Sequence, residues 1–158
     1  MPYLIDGNNL LGRSKEINLK TPHARDVLIN ELLAFQKEKN VKMIVVFDGL
    51  PDERIGKDHI SLGDVEIRFA GEKSDADSLI LKIIMQSSEP SSFILVSSDR
   101  SLTDKARFMK AKVLKCHQFR KKMERVKANF QSKLEPKLDK EEIAEWLDFF
   151  SNPENKKT

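Results

Sequence analysis

Five consecutive apolar residues, Met43-Ile44-Val45-Val46-Phe47, stand inside a chain in which 34% of residues are charged. A run this short and unbroken, rich in β-branched side chains, suits a strand covered on both faces, and such strands belong to parallel sheets flanked by helices. The sequence therefore predicts a buried strand over 41–47. Shorter apolar runs predict further strands at 2–5, 65–69, 93–97 and 113–116. Between them the apolar spacing changes to that of helices. Ala24, Val27, Leu28, Leu32 and Phe35 follow Thr21-Pro22, which reads as an N-cap with proline in the first turn, and this helix should end near Asn40. Leu79, Ile80, Ile83 and Ile84 mark a helix over 75–88, and two more are expected over 101–110 and from 118 to about 130. Alternating strands and helices favour a mainly parallel central sheet with helices on both faces. The stretch 49–63, with Pro51, Gly56 and His59 and little periodicity, reads as a mobile surface loop.

At 158 residues one domain is the expectation, over 1–130. Residues 131–151 read as a linker and an amphipathic helix, capped by Asp139 with Glu142, and 152–158 as a disordered tail. Ile143, Trp146, Leu147 and Phe150 recur at helical spacing, so this stripe should dock on the same domain or contact a protein partner. No apolar run approaches a membrane span and no signal peptide is visible, so a cytoplasmic location is expected. The single cysteine, Cys116, cannot form an internal disulfide and reads as a core residue at a strand end.

The acids carry the functional signal. Asp6, Asp48 and Asp99 each follow a predicted strand, Asp75 and Asp77 begin a predicted helix, and Asp104 lies about one turn beyond Asp99. The carboxyl ends of parallel strands share one edge of the sheet, where α/β folds bind ligands. Folding is expected to gather these carboxylates into one pocket. Carboxylates repel one another unless a cation neutralises them, and several oxygen ligands around an open position suit Mg²⁺ or Mn²⁺. Asp75 and Asp77 are two apart and do not share a helix face. One should cap the helix, and Asp77 is the one expected to face the pocket. His23, His59 and His117 are scattered and read as surface residues, and no phosphate-binding glycine loop or paired-histidine zinc motif is present.

The net charge of +3 hides an asymmetry. Residues 100–137 hold 13 Lys or Arg against 3 acids, whereas the remainder holds 15 against 22. A basic face beside an acidic pocket suits a phosphodiester substrate, although a charge run is also what a solvated helix face looks like. Arg100, Lys105, Arg120, Lys121, Lys122, Arg125 and Lys127 are the candidate phosphate contacts. Asn8, Asn9, Ser97 and Ser98 are expected to add hydrogen bonds nearby.

Taken together, Asp6-Gly7-Asn8-Asn9, Ala24-Arg25-Asp26-Val27-Leu28-Ile29, Val45-Val46-Phe47-Asp48-Gly49, Ser74-Asp75-Ala76-Asp77-Ser78 and Ser97-Ser98-Asp99 follow an order that resembles the YacP-like NYN-domain ribonucleases of the PIN-like nuclease superfamily. The resemblance covers about residues 1–125. It implies a Rossmann-like, three-layer PIN/NYN domain and RNA cleavage dependent on Mg²⁺ or Mn²⁺. Asp6, Asp77 and Asp99 match the acidic core, with Asp48 as a further metal ligand and Asp104 as a further catalytic acid. RNA, with the ribosome as a possible setting, is the implied partner. Lys110-Ala111 stands where the YacP-like pattern has Gly-Ala. Two other functions compete: a structure-specific 5′ DNA nuclease, whose flap-type members begin with similar motifs but are much larger, and a non-catalytic RNA- or ribosome-binding module. Retained acids argue against the latter, because they repel phosphate.

Overall fold

The computed structural model describes residues 1–12, 23–51 and 59–134, the last five as backbone only. Strand β1 is Tyr3–Asp6, followed by the short helix α1, Gly7–Gly12, and by α2, Ala24–Lys39. Next come β2 (Met43–Phe47), β3 (His59–Leu62), β4 (Val65–Phe69) and helix α3 (Ala76–Gln86). β5 (Ile94–Val96), α4 (Arg100–Phe108), β6 (Lys112–Leu114) and α5 (Cys116–Leu134) complete the described chain.

The strands form one sheet in the order β3-β4-β2-β1-β5-β6. All neighbours are parallel except β3 and β4. Helices cover both faces, as the apolar run at β2 requires. On one face α1, α2 and α5 bury Leu10, Leu11, Leu28, Leu32 and Phe119 against Ile5, Val45 and Phe47. On the other, α3 and α4 bury Ile80, Ile84, Leu102 and Ala106 against Leu4, Val46 and Leu95. Alternate residues of β1 and β2 thus serve opposite layers. The rings of Tyr3, Phe35 and Phe119 meet edge-on or tilted, with centroids 5.1 to 6.0 Å apart, and fasten α5 to α2 and the first strand. The architecture is thus the three-layer one, with a mainly parallel central sheet, that the sequence predicts.

Four local expectations need correction. The stretch 49–63 is not simply a loop, because His59–Leu62 pairs with Val65–Phe69 as an antiparallel hairpin. β3 is a mostly exposed edge strand, so no apolar alternation marks it. The Gly63-Asp64 pair, with Gly63 at φ 62°, is the turn signal that the sequence does carry. Asp6-Gly7-Asn8-Asn9, whose residue types favour turns and strand exits, leads instead straight from β1 into α1, which buries Leu10 and Leu11. Cys116 begins α5 instead of ending β6. That helix runs on to Leu134, past the expected domain boundary at 130. The Thr21-Pro22 cap, the 139–150 helix and the 152–158 tail lie outside the described residues. At α2, the residue before the helix is His23 in a left-handed conformation, and Asn40 closes the other end with its N–H on the Gln36 carbonyl.

Candidate active site

The sheet's order reverses direction beside β1. After β1 the chain builds outward through β2 and β4, then crosses back to β5 and β6. At such a switch point the loops leaving neighbouring strands diverge to opposite faces and open a crevice at the carboxyl ends. Asp6 is the last residue of β1, and Ser97-Ser98-Asp99 leaves β5 alongside it. Gly7 is required here. A Cβ at Gly7 would stand 2.5 Å from the Phe47 ring, so only glycine lets α1 start this close to β2.

Asp6 is 4% exposed and accepts a hydrogen bond from the Ser97 hydroxyl at 3.0 Å. Its carboxyl is pushed up to about 6, first by burial and further by the charges of Asp77 and Asp48, against the lowering effect of the Ser97 and Asn9 hydrogen bonds. Ser97 is itself fully buried and also accepts the Asp99 N–H. It is therefore a support for Asp6, not the nucleic-acid contact its position suggested. Asn9 and Ser98 are half-buried and bonded within the fold. Asn9 Oδ1 accepts from the Ser98 N–H at 2.7 Å and from the Cys116 thiol at 3.1 Å, and Ser98 Oγ accepts the Cys116 N–H at 3.1 Å. These bonds tie the exit of β5 and the start of α5 to the start of α1. Asn8 Oδ1 accepts the Asp48 N–H at 2.9 Å and so links the exits of β1 and β2.

Asp48 and Asp75 share the N-terminus of α3. Asp75 accepts the Ser78 N–H and Asp48 accepts the Ala76 N–H, each at 2.7 Å. Both satisfy helix donors that otherwise lack a partner. The Ser78 bonds hold the Asp75 carboxyl below its ordinary range. Asp77 is different: it is half-buried and its carboxylate hydrogen-bonds to no described residue. Burial pushes its carboxyl up, and Asp99, Asp75 and Asp48 push it further, while Lys105 opposes them. Of the two acids at this helix start, Asp75 is thus the cap and Asp77 faces its fellow acids. Asp99 caps α4 by accepting the Leu102 N–H at 3.1 Å.

Asp6, Asp48, Asp77 and Asp99 are thus electrostatic neighbours, but they do not form a ready-made cage. Among the described residues, no three His, Cys, Asp or Glu side chains stand close enough together to hold a metal ion. The expectation that Asp6, Asp77 and Asp99 converge on one point is not met by this arrangement. One oxygen each of Asp48 and Asp99 is occupied as a helix cap, which leaves the other free to face the neighbouring acids. The donor set still fits a small divalent cation. Mg²⁺ commonly keeps several waters and takes only one or two carboxylates together with substrate phosphate. Asp6 and Asp77, buried and facing further carboxylates that raise them, are acids whose charge such an ion would relieve.

Asp104 is not brought into this group. It is exposed on α4 and pairs with Arg107 at 3.4 Å. Arg120 also departs from expectation: it is 14% exposed and reaches Glu31 at 3.3 Å, joining α5 to α2 instead of facing solvent. Arg100, Lys105, Lys121, Lys122, Arg125 and Lys127 are exposed. Sequence reasoning gave no role to Arg25, whose guanidinium donates to the carbonyls of Asp48 and Leu50 at the pocket's edge. Its signal was a basic residue in the first turn of an otherwise amphipathic helix.

A family profile described as the YacP-like NYN domain matches residues 3–152. The chain belongs to that family. YacP-like NYN domains are a nuclease-type, RNA-related family, which agrees with an acidic edge beside a basic helix. Among solved structures, the crystal structure of Rae1 (YacP) from Bacillus subtilis is similar with a TM-score of 0.74 and 23% identity, covering 94% of this chain and 87% of that one. A variant of the same Bacillus subtilis protein gives a TM-score of 0.69 at 22% identity, covering 84% and 80%. These likenesses support the PIN-like fold of the YacP-like chain. No curated protein matches it.

Proposed function

We propose that this YacP-like NYN protein is a divalent-metal-dependent endoribonuclease, with Mg²⁺ or Mn²⁺ as cofactor. The observation that carries the reading is the gathering of acids at the switch point of the sheet, where burial first, and then neighbouring carboxylates, raise the carboxyls of Asp6 and Asp77. Asp6 and Asp77 would hold the ion, with the remaining oxygens of Asp48 and Asp99 beside it. When bound, the ion would polarise the scissile phosphate and lower the pKa of a water for in-line attack.

The chain's own groups have separable tasks. Ser97 and the Asn9 backbone hold Asp6 in place and limit the rise in its pKa. Asp99 starts α4, the helix that presents Arg100 and Lys105 to the charge of the substrate. α5 begins at the pocket, where Cys116 bonds to Ser98, and then leads away from it. At 1.5 Å per residue, Lys127 lies about 16 Å along the axis from Cys116. Lys121, Lys122, Arg125 and Lys127 therefore suit successive phosphates of a strand beyond the scissile bond, not the bond itself. RNA, free or on the ribosome, is the proposed partner.

Labelled RNA and DNA incubated with Mg²⁺, Mn²⁺ or chelator test the reading. It requires internal cuts in RNA only when metal is supplied. Cleavage of branched DNA instead would favour a 5′ DNA nuclease, and RNA binding without cleavage would favour a non-catalytic module.

A further inference from the structure

Arg25 stands in the first turn of α2, outside the group of acids and outside the basic region 100–137. Its Nη2 donates to the Asp48 carbonyl at 2.6 Å and its Nη1 to the Leu50 carbonyl at 3.0 Å. The guanidinium carbon lies 5.4 Å from the ring centroids of both Phe47 and Phe69, which stack on each other at 5.8 Å. One planar cation thus grips two carbonyls through its edge and rests on an aromatic pair. A lysine cannot reproduce this, since its ammonium is a point charge without the fork or the flat face.

The gripped segment has little freedom left. Gly49, between the two carbonyls, has φ 76°, and its own carbonyl accepts the N–H of Gly71 at 2.9 Å. The Asp48 N–H is held by Asn8. With its backbone fixed on both sides, Asp48 directs its carboxylate to the Ala76 N–H and anchors the first turn of α3, where Asp77 sits. We propose that Arg25 is a positioning residue for the acidic pocket, clamping the exit of β2 so that Asp48 holds α3, and with it Asp77, in place beside Asp6. Its consequence for catalysis rests on the nuclease reading above; the clamp itself does not.

The test compares wild type, Arg25→Lys, Arg25→Gln, Asp48→Ala and the Arg25→Gln/Asp48→Ala double variant, all full-length. Amide hydrogen exchange is measured without metal or RNA, and Mn²⁺ affinity is measured separately by calorimetry. Both Arg25 variants should speed exchange of the Asp48 and Ala76 amides about tenfold or more while the amides of β1 and β5 keep their protection, as local opening requires. Mn²⁺ affinity should fall in each single variant, and Arg25→Gln should add little once Asp48 is Ala, because both act through one chain of contacts. Unchanged Ala76 protection in Arg25→Lys and Arg25→Gln overturns the proposal. So does equal acceleration of all amides, or a Mn²⁺ loss that adds in full in the double variant. A wild type without Mn²⁺ affinity counts against the metal reading, and the amide data alone then decide the role of Arg25.

Discussion

The buried hydroxyl of Ser97 donates to the carboxylate of Asp6 at 3.0 Å, joining the ends of two adjacent strands that are 91 residues apart in sequence. This bond favours the charged form of an acid that burial and the neighbouring carboxylates push toward neutrality. Ser97→Ala should therefore raise the Asp6 pKa further above about 6 in metal-free protein. Carboxyl ¹³C chemical shifts followed through a pH titration read this directly, and a pKa at or below the wild-type value would remove Ser97 from this role.

Stability should carry the same signature. The folded pKa of Asp6, about 6, exceeds its ordinary 3.8, so between those values the folded chain keeps a proton that the unfolded chain has lost. Its contribution is fully present below about pH 4, fades as pH rises through about 6, and is gone above. The loss amounts to about 3 kcal/mol. Asp6→Asn resembles the protonated acid at every pH, so its stability relative to wild type should rise by up to that amount from pH 4 to 7 in chelator. Urea unfolding at several pH values measures the difference, which should not vary with pH if Asp6 titrates normally.

Lys110 occupies a left-handed conformation, φ 71°, just after α4, with its N–H on the Arg107 carbonyl. Glycine adopts this conformation without the Cβ clash that a lysine incurs. The YacP-like pattern has glycine at this position, and Lys110→Gly should stabilise the protein by about 0.5–1 kcal/mol despite the greater freedom of the unfolded chain. Thermal or urea unfolding checks it, and a loss of stability would show that the lysine side chain makes up for the strain.

What the sequence disclosed depended on whether one residue's environment or the meeting of several was at issue. β2, the parallel sheet and the two helical layers were legible because burial leaves an apolar record, unbroken at Met43–Phe47 and at helical spacing over Leu79–Ile84. That Asp75 and Asp77 would not act alike was legible too, because residues two apart do not share a helix face, whereas helical geometry left open which of them is the cap. β3 left no record because an exposed edge strand needs no apolar alternation. The inward roles of Ser97, Ser98 and Arg120 were hidden for another reason: a hydroxyl or guanidinium looks the same in sequence whether its partner is water, phosphate or Asp6. Asp104 was misplaced by counting a turn of helix without knowing which side of α4 faces the pocket.

The exposed side of α5 supplies a prediction about binding. Replacing Lys121, Lys122 and Arg125 together by Ala should weaken affinity for single-stranded RNA and make it less salt-dependent, with the fold intact because none of the three is buried. For every phosphate that the variant no longer neutralises, the magnitude of the log–log salt slope should fall by about 0.7. An unchanged slope would place the RNA on another face. Arg120→Ala should instead lower stability, since it removes the ion pair that joins α5 to Glu31 of α2.

The most direct test of the central claim is Asp77→Asn. Asp77 caps no helix and its carboxylate hydrogen-bonds to no described residue, so the substitution removes charge from the pocket without taking away a structural bond. Cleavage of a labelled RNA is measured at matched Mg²⁺ or Mn²⁺ concentrations, together with RNA affinity in chelator. The account predicts metal-dependent cleavage by the wild type, a loss of orders of magnitude in the variant, and RNA affinity that is retained or slightly tightened. Cleavage by folded Asp77→Asn at the wild-type rate, or wild-type cleavage that chelator leaves unchanged, would contradict it.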